Sequence, residues 1–129
     1  MMNKDLINIK LAKSNQRINE AEVLFVNGFY DSVVSRVYYA VFYAAGACLL
    51  IKDTFAKTHS GVKNKFHLMF IKTKVFKDDI GKLFDILFDE RNNADYGDFS
   101  NYSRSDVEPL ISRGKDAVKE ISKYVEAHL

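Results

Sequence analysis

Residues 30–51, YDSVVSRVYYAVFYAAGACLLI, are apolar almost all round a helix: Val33, Val34, Val37, Tyr38, Val41, Phe42, Ala45, Cys48 and Leu49 leave no continuous polar face. A helix of this kind has to be covered on several sides, so the stretch predicts a central element with the rest of the chain packed around it. Before it, Ile7, Leu11, Ser14, Ile18, Ala21 and Phe25 recur by three and four residues from Asp5 to Asn27, one face of a helix. Asn27-Gly28 should end that helix, because glycine readily takes the left-handed C-cap geometry.

After the central stretch, Lys52 to His59 reads as a loop and Ser60 as the start of a shorter helix with Val62, Phe66, Met69 and Phe70 on one face. Lys72 to Lys77 is a polar break. A further helix from Asp78 carries Ile80, Leu83, Phe84, Leu87 and Phe88 inward and should fray near Arg91 to Asn93. Ala94 to Arg104 is dense in turn-forming residues. Ser105-Asp106-Val107-Glu108 reads as a capping box opening the last helix, with Pro109 in its first turn or just past it. Leu110, Ile111, Val118, Ile121 and Val125 supply its buried face. The prediction is an all-α fold, an antiparallel up-and-down bundle of four to five helices, in a single domain over residues 1–129.

Apolar residues at 47% and charged residues at 28% exclude a disordered chain. No uninterrupted apolar run reaches the roughly 20 residues that cross a bilayer, and Met1 to Lys10 lacks the apolar stretch of a signal peptide. The expectation is a cytoplasmic protein with no membrane partner. Cys48 stands alone, so it forms no internal disulfide and reads as a buried, inert thiol. One Cys and three scattered His give no zinc-type spacing; neither metal nor cofactor is expected.

Charge is unevenly spread. Residues 52–77 hold seven Lys against one Asp, a balance of +6 without His59 and His67, whereas residues 78–108 hold nine acids against Lys82, Arg91 and Arg104, a balance of −6. Such asymmetry marks an anion-binding face, a self-complementary surface, or simply a solvated lysine-rich segment.

The chemistry concentrates in Arg91-Asn92-Asn93-Ala94-Asp95-Tyr96. An arginine keeps its charge at any working pH, and its planar fork suits phosphate oxygens. A cluster of this kind serves a nucleotide or RNA phosphate, or is an ordinary helix-end salt bridge of Arg91 with Asp89, Glu90 or Asp95. Arg36, on the central helix, must find a partner or reach the surface: an ion pair with a neighbouring helix is one reading, a place in the same groove as Arg91 the other. Tyr38, Tyr39 and Tyr43 cannot all face one way, so at least one belongs to the core with its hydroxyl bonded, while another is free to stack on a base.

Four blocks carry a family resemblance: Phe29-Tyr30-Asp31-Ser32; Ser35-Arg36-Val37-Tyr38-Tyr39-Ala40-Val41-Phe42; Lys57-Thr58-His59-Ser60-Gly61-Val62; and Arg91 followed by Ala94-Asp95-Tyr96. In this order and at these separations they resemble the HEPN domain (higher eukaryotes and prokaryotes nucleotide-binding), over about Leu11 to Val125, and within it a small stand-alone prokaryotic subgroup. The resemblance implies a helical bundle that pairs as a homodimer. It implies a toxin-like role in a two-gene module with a minimal nucleotidyltransferase partner. Many such proteins are metal-independent RNases built on an Arg followed, after four to six residues, by His; others only bind nucleotide, RNA or the partner.

Arg91 carries over to the family's Arg and Asn92 to the polar residue after it. The His does not carry over: its possible positions are Tyr96, Gly97 and Asp98. Tyr and Asp, with ordinary pKa values of about 10 and 3.9, are not poised near neutrality as His is. The expected catalytic residues are therefore Arg91 for charge and Asp95 or Tyr96 as a weak candidate base, with His59 a more distant one. Expected nucleotide- or RNA-binding residues are Arg36, Tyr39, Asn92 and His59, the last standing in a loop where an exposed His is ordinarily just solvated. Tyr96 or Tyr102 as an acceptor of AMP from the partner is a further implication of the resemblance.

Overall fold

The computed structural model describes residues 3–96 and 101–129, with the side chains of Asp95 and Tyr96 left out. Five α-helices follow one another: α1 Lys4–Val26, α2 Tyr30–Ile51, α3 His59–Phe66, α4 Asp78–Tyr96 and α5 Arg104–Ala127, with a π-helical turn His67–Ile71 continuing α3. The fold is all-α, an antiparallel bundle with α2 at its centre, in contact with α1, α3, α4 and α5. By length and composition α2 could cross a membrane; here its apolar surface is consumed by its neighbours, with Val33, Val34, Val37, Val41, Ala44 and Cys48 fully buried. Burial also drives the Cys48 thiol well above its ordinary pKa, leaving it protonated and inert.

Helix α1 ends as glycine dictates. Gly28 takes φ +81°, the Gly28 N–H donates to the Phe25 carbonyl and the Phe29 N–H to the Leu24 carbonyl, the two bonds of a Schellman motif. Ser14, the one polar member of the inward stripe, is buried and satisfied by donating to the Ala40 carbonyl at 2.6 Å. Of the described glycines, Gly114 of α5 leaves least room for a side chain: a β-carbon there would stand 2.5 Å from Val37 Cγ1.

Three boundaries differ from expectation. Helix α3 begins at His59, not Ser60, because Thr58 Oγ1 accepts the Gly61 N–H at 3.0 Å and caps it. Helix α4 does not fray at Arg91–Asn93 but runs to Tyr96, since Arg91 is docked on α2 and tertiary contact overrides weak local propensity. The capping box of α5 is Ser103 with Asp106, two residues before the expected Ser105–Glu108 pair: the Asp106 N–H donates to Ser103 Oγ at 3.2 Å and the Ser103 N–H to Asp106 Oδ2 at 2.9 Å. Pro109 consequently falls in the second turn, at an exposed position. Ser103→Ala should cost about 1 kcal/mol, read as a fall of a few degrees in Tm, whereas Ser105→Ala should stay within about 0.5 kcal/mol.

The basic and acidic segments meet each other in part. Asp85 takes both Lys63 Nζ at 3.1 Å and His67 Nε2 at 2.9 Å, and Lys74 pairs with Asp78. The polar break before α4 also hides an aromatic anchor, since Phe76 is buried against Phe66, Phe70 and Tyr124.

Candidate functional site

Helix α2 offers Tyr38, Tyr39 and Phe42 on the side where the first turn of α3 and the far end of α4 converge. The Thr58 cap makes His59 the first residue of α3, which lays its imidazole flat on Phe42, ring centroids 4.4 Å apart at 15°. The same ring meets Tyr39 edge-on at 5.8 Å, and its Nδ1 lies 2.9 Å from the Tyr38 hydroxyl. His59 is thus not a solvated loop residue. Six residues of chemical or aromatic character gather here from three helices: Tyr38, Tyr39, Phe42, His59, Phe88 and Arg91.

Arg91 enters from α4. Its guanidinium carbon sits 5.0 Å above the Tyr38 ring and 5.8 Å above that of Tyr39, with only 8% of the residue exposed. A cation so desolvated gains about 2 kcal/mol from an aromatic face. Tyr38 is fully buried. Burial pushes its phenol up to about 12, against the opposing pull of the Arg91 charge and an Arg91 hydrogen bond, so it remains a phenol throughout the physiological range. His59 moves the other way: burial first, and the Arg91 charge second, hold it below its ordinary 6.5. At neutral pH the cluster therefore pairs a permanent cation with an uncharged imidazole, the form that accepts a proton.

That shift has a sign that can be checked. A histidine whose pKa is depressed stays neutral down to a lower pH, and removing a nearby positive charge raises it. In an NMR titration of the imidazole Cε1–H, His59 should titrate below 6.5, and Arg91→Gln should move its midpoint upward without restoring the full value, because the burial remains. An unchanged midpoint would separate the two groups electrostatically.

The remaining expected residues fall as follows. Tyr39 is half-buried within the cluster, and Asn92 is exposed beside Arg91. Arg36 takes the ion-pair role: its Nε lies 3.0 Å from Glu20 Oε1 on α1, an oxygen also 3.0 Å from Arg17 Nε. Both are contacts of charge rather than aligned hydrogen bonds. Asp95 and Tyr96 lie on the last turn of α4, their side chains outside the described residues. Tyr102 is committed elsewhere, its hydroxyl donating to Glu90 Oε2 at 2.6 Å and its N–H to Asp31 Oδ1 at 3.2 Å; burial and these carboxylates raise its pKa well above the ordinary phenol. Among the described residues no cluster of His, Cys, Asp and Glu could hold a metal ion.

Two members of the cluster, Phe42 and Phe88, carry no polar group that a reading of the sequence for chemistry would single out. The signal available for Phe42 was its spacing, three and four residues beyond Tyr39 and Tyr38.

The HEPN domain family profile matches residues 8–127. A UPF0332 protein of Thermotoga maritima is 31% identical over 114 residues, covering 88% of this chain and 86% of that protein. Two proteins of Methanocaldococcus jannaschii named "Putative toxin MJ0142" and "Putative toxin MJ0605" are 31% and 30% identical, covering 89% and 94% of this chain and 78% and 97% of their own lengths. With its helical bundle and an ordered match over nearly its whole length, the chain belongs to the HEPN domain family.

Proposed function

We propose that this chain is the toxin-like component of a two-gene module, cytoplasmic and dimeric, and that it cleaves RNA without a metal ion. The observation that supports this most is the shared seat of Arg91 and His59 on the Tyr38 and Tyr39 rings. His59 accepts the proton of a ribose 2′-hydroxyl at Nε2. The 2′-oxygen attacks the adjacent phosphorus, the bond to the 5′-oxygen breaks, and that oxygen takes a proton from the imidazolium. The products are a 2′,3′-cyclic phosphate and a 5′-hydroxyl. Arg91 stabilises the charge that builds on the phosphoryl oxygens. For Nε2 to act as base, the ring keeps its hydrogen on Nδ1 and donates it to the Tyr38 oxygen, which orients the imidazole as a buried carboxylate does elsewhere.

The base is thus supplied by a different part of the chain from the position after Arg91 where the family's histidine stands, which here is Tyr96, Gly97 or Asp98. Pairing of two copies would bring two such arginines to one RNA strand. The nucleotidyltransferase partner is sought in the neighbouring reading frame, as a Gly-Ser followed by a spaced pair of Asp.

The experiment is cleavage of total RNA by the purified protein in the presence of a chelator. His59→Gln should lower the rate by a factor of about 10²–10⁴, with cyclic-phosphate ends from the wild type; equal rates would remove His59 from the chemistry. A second reading, a HEPN module that binds nucleotide, RNA or its partner without catalysis, is favoured by the depth of Arg91, 8% exposed. It leads if the wild type cuts no RNA.

A further inference from the structure

Helix α1 ends in apolar side chains that stand in the open. Val26 is 83% exposed and Val23 63%, and a separation of three residues puts both on one side of the helix. Phe29, just past the Schellman turn, is 60% exposed. The surface beside the two valines is concave. One shallow depression of about 440 Å³ runs along α1 past Val23 and Val26. A second, of about 470 Å³, lies between α1 and α5, with Phe25, Val26 and Ile111 among its walls. Glu22 and Val26 line both, so the two form one groove. From Asn19 to Asn27 it follows α1 for about 12 Å, room for roughly two turns of another helix. Open apolar side chains around a concave surface with a polar rim mark a docking site.

The charge of the rim says what docks there. Its carboxylates are Glu22, Glu108 and Asp116. Lys115 is spent on Glu22 at 2.7 Å, a partner that raises the lysine's pKa. Arg104 lies 5.0 Å over the Phe25 ring and only 3.8 Å from Glu108, an exposed and loose pair. Asp116 makes no ion pair among the described residues. The last turn of α1 holds no basic residue, so its own sequence leaves the negative end of the helix dipole without a cation.

We propose that this groove binds a helix of a partner protein, which lays apolar side chains on Val23, Phe25 and Val26 and sets a lysine or arginine against Asp116 and the end of α1. An amphipathic helix in an apolar groove is a recurrent mode of recognition, and the excess of carboxylate on the rim selects a basic one. The same excess disfavours a nucleic acid or an anionic lipid surface, whose phosphates it would repel. A second copy of the chain is disfavoured as well, because a two-fold contact sets each acidic rim against its own equivalent. The groove shares no residue with the Tyr38–His59–Arg91 cluster, so the proposal stands apart from the RNA-directed activity above.

The test selects binders to the immobilised full-length protein from a displayed library of helical peptides with randomised surface positions. The enriched peptides should combine an apolar stripe with net positive charge. With one of them made fluorescent and followed by anisotropy, Val26→Glu should weaken binding about tenfold or more, the worth of burying one valine side chain. Asp116→Lys should weaken it several-fold and flatten its dependence on salt. Both positions are exposed, so both variants should melt with the wild type, and lost binding is then not lost fold.

A selection that enriches no peptide, or enriches acidic ones, would overturn the proposal, as would affinity unchanged in both variants. A fall in sedimentation mass of Val26→Glu would make the groove a contact between copies instead. Displacement of the bound peptide by an oligoribonucleotide or by anionic vesicles would hand the surface to those ligands and equally remove the partner helix.

Discussion

Arg91→Ala is expected to abolish RNA cleavage, by a factor of about 10³ or more. Removing a single donor that stabilises developing charge costs about 10²–10³, and losing an arginine at a transferring phosphoryl group costs about 10³–10⁵. Arg91 is the cation seated on the Tyr38 and Tyr39 rings, beside a His59 held neutral, whereas Lys63 Nζ lies apart over the Phe88 ring at 5.1 Å. Because the side chain is also packed on two tyrosines, loss of activity has to be separated from loss of fold. Circular dichroism melts of the variant provide one control. Arg91→Lys provides another, since it keeps the charge and surrenders the planar fork that two phosphate oxygens require. Rates near wild type in Arg91→Lys would show that charge alone suffices. Rates near wild type in Arg91→Ala would take the arginine out of the chemistry altogether.

Phe66→Ala is expected to produce the largest loss of stability, about 3–5 kcal/mol, read as a Tm lower by roughly 10–20 °C. Phe66 is fully buried at the end of α3. It stacks on Phe70 at 5.6 Å and on Phe76 at 5.8 Å, and meets Phe84 edge-on at 5.8 Å. Removing the ring leaves a void that three other aromatic rings line and cannot easily fill, because each is itself buried. A folded domain is stable by only about 5–15 kcal/mol, so one ring accounts for a large share. A fall of only a few degrees would mean that the π-helical turn after Phe66 relaxes to close the gap.

The architecture was legible where the signal was local and repeated. The all-apolar surface of residues 30–51 gave the centre of the bundle with its observed ends, and Asn27-Gly28 gave the stop of α1. The end of α4 was missed because a tertiary contact, Arg91 on the Tyr38 ring, carries the helix on to Tyr96; the helix starts were missed where neighbouring hydroxyls competed for one cap. Ser103 and Ser105 both precede an acid three residues on, and the shorter Asp106 won because it reaches the Ser103 N–H at 2.9 Å. At α3 the cap is Thr58, which stands two residues before Ser60 and accepts the Gly61 N–H. Arg91 was visible as a cation beside polar residues. The company it keeps was not: the Tyr38–His59 bond joins positions 21 residues apart, and no helical period connects a residue in one helix to the first turn of the next.

Gly114 lies on α5, which contributes no residue to the cluster. Yet Val37, the residue it touches, immediately precedes Tyr38 in the chain. The missing methyl group at position 114 therefore works as a shim: it sets how deeply α2 seats in the bundle, and hence the gap between the Tyr38 ring and the guanidinium that arrives from α4. A misplacement of about 1 Å can cost a reaction a factor of about 10². The spacing of the ring cluster is thus set in part from α5, by a residue with no side chain at all.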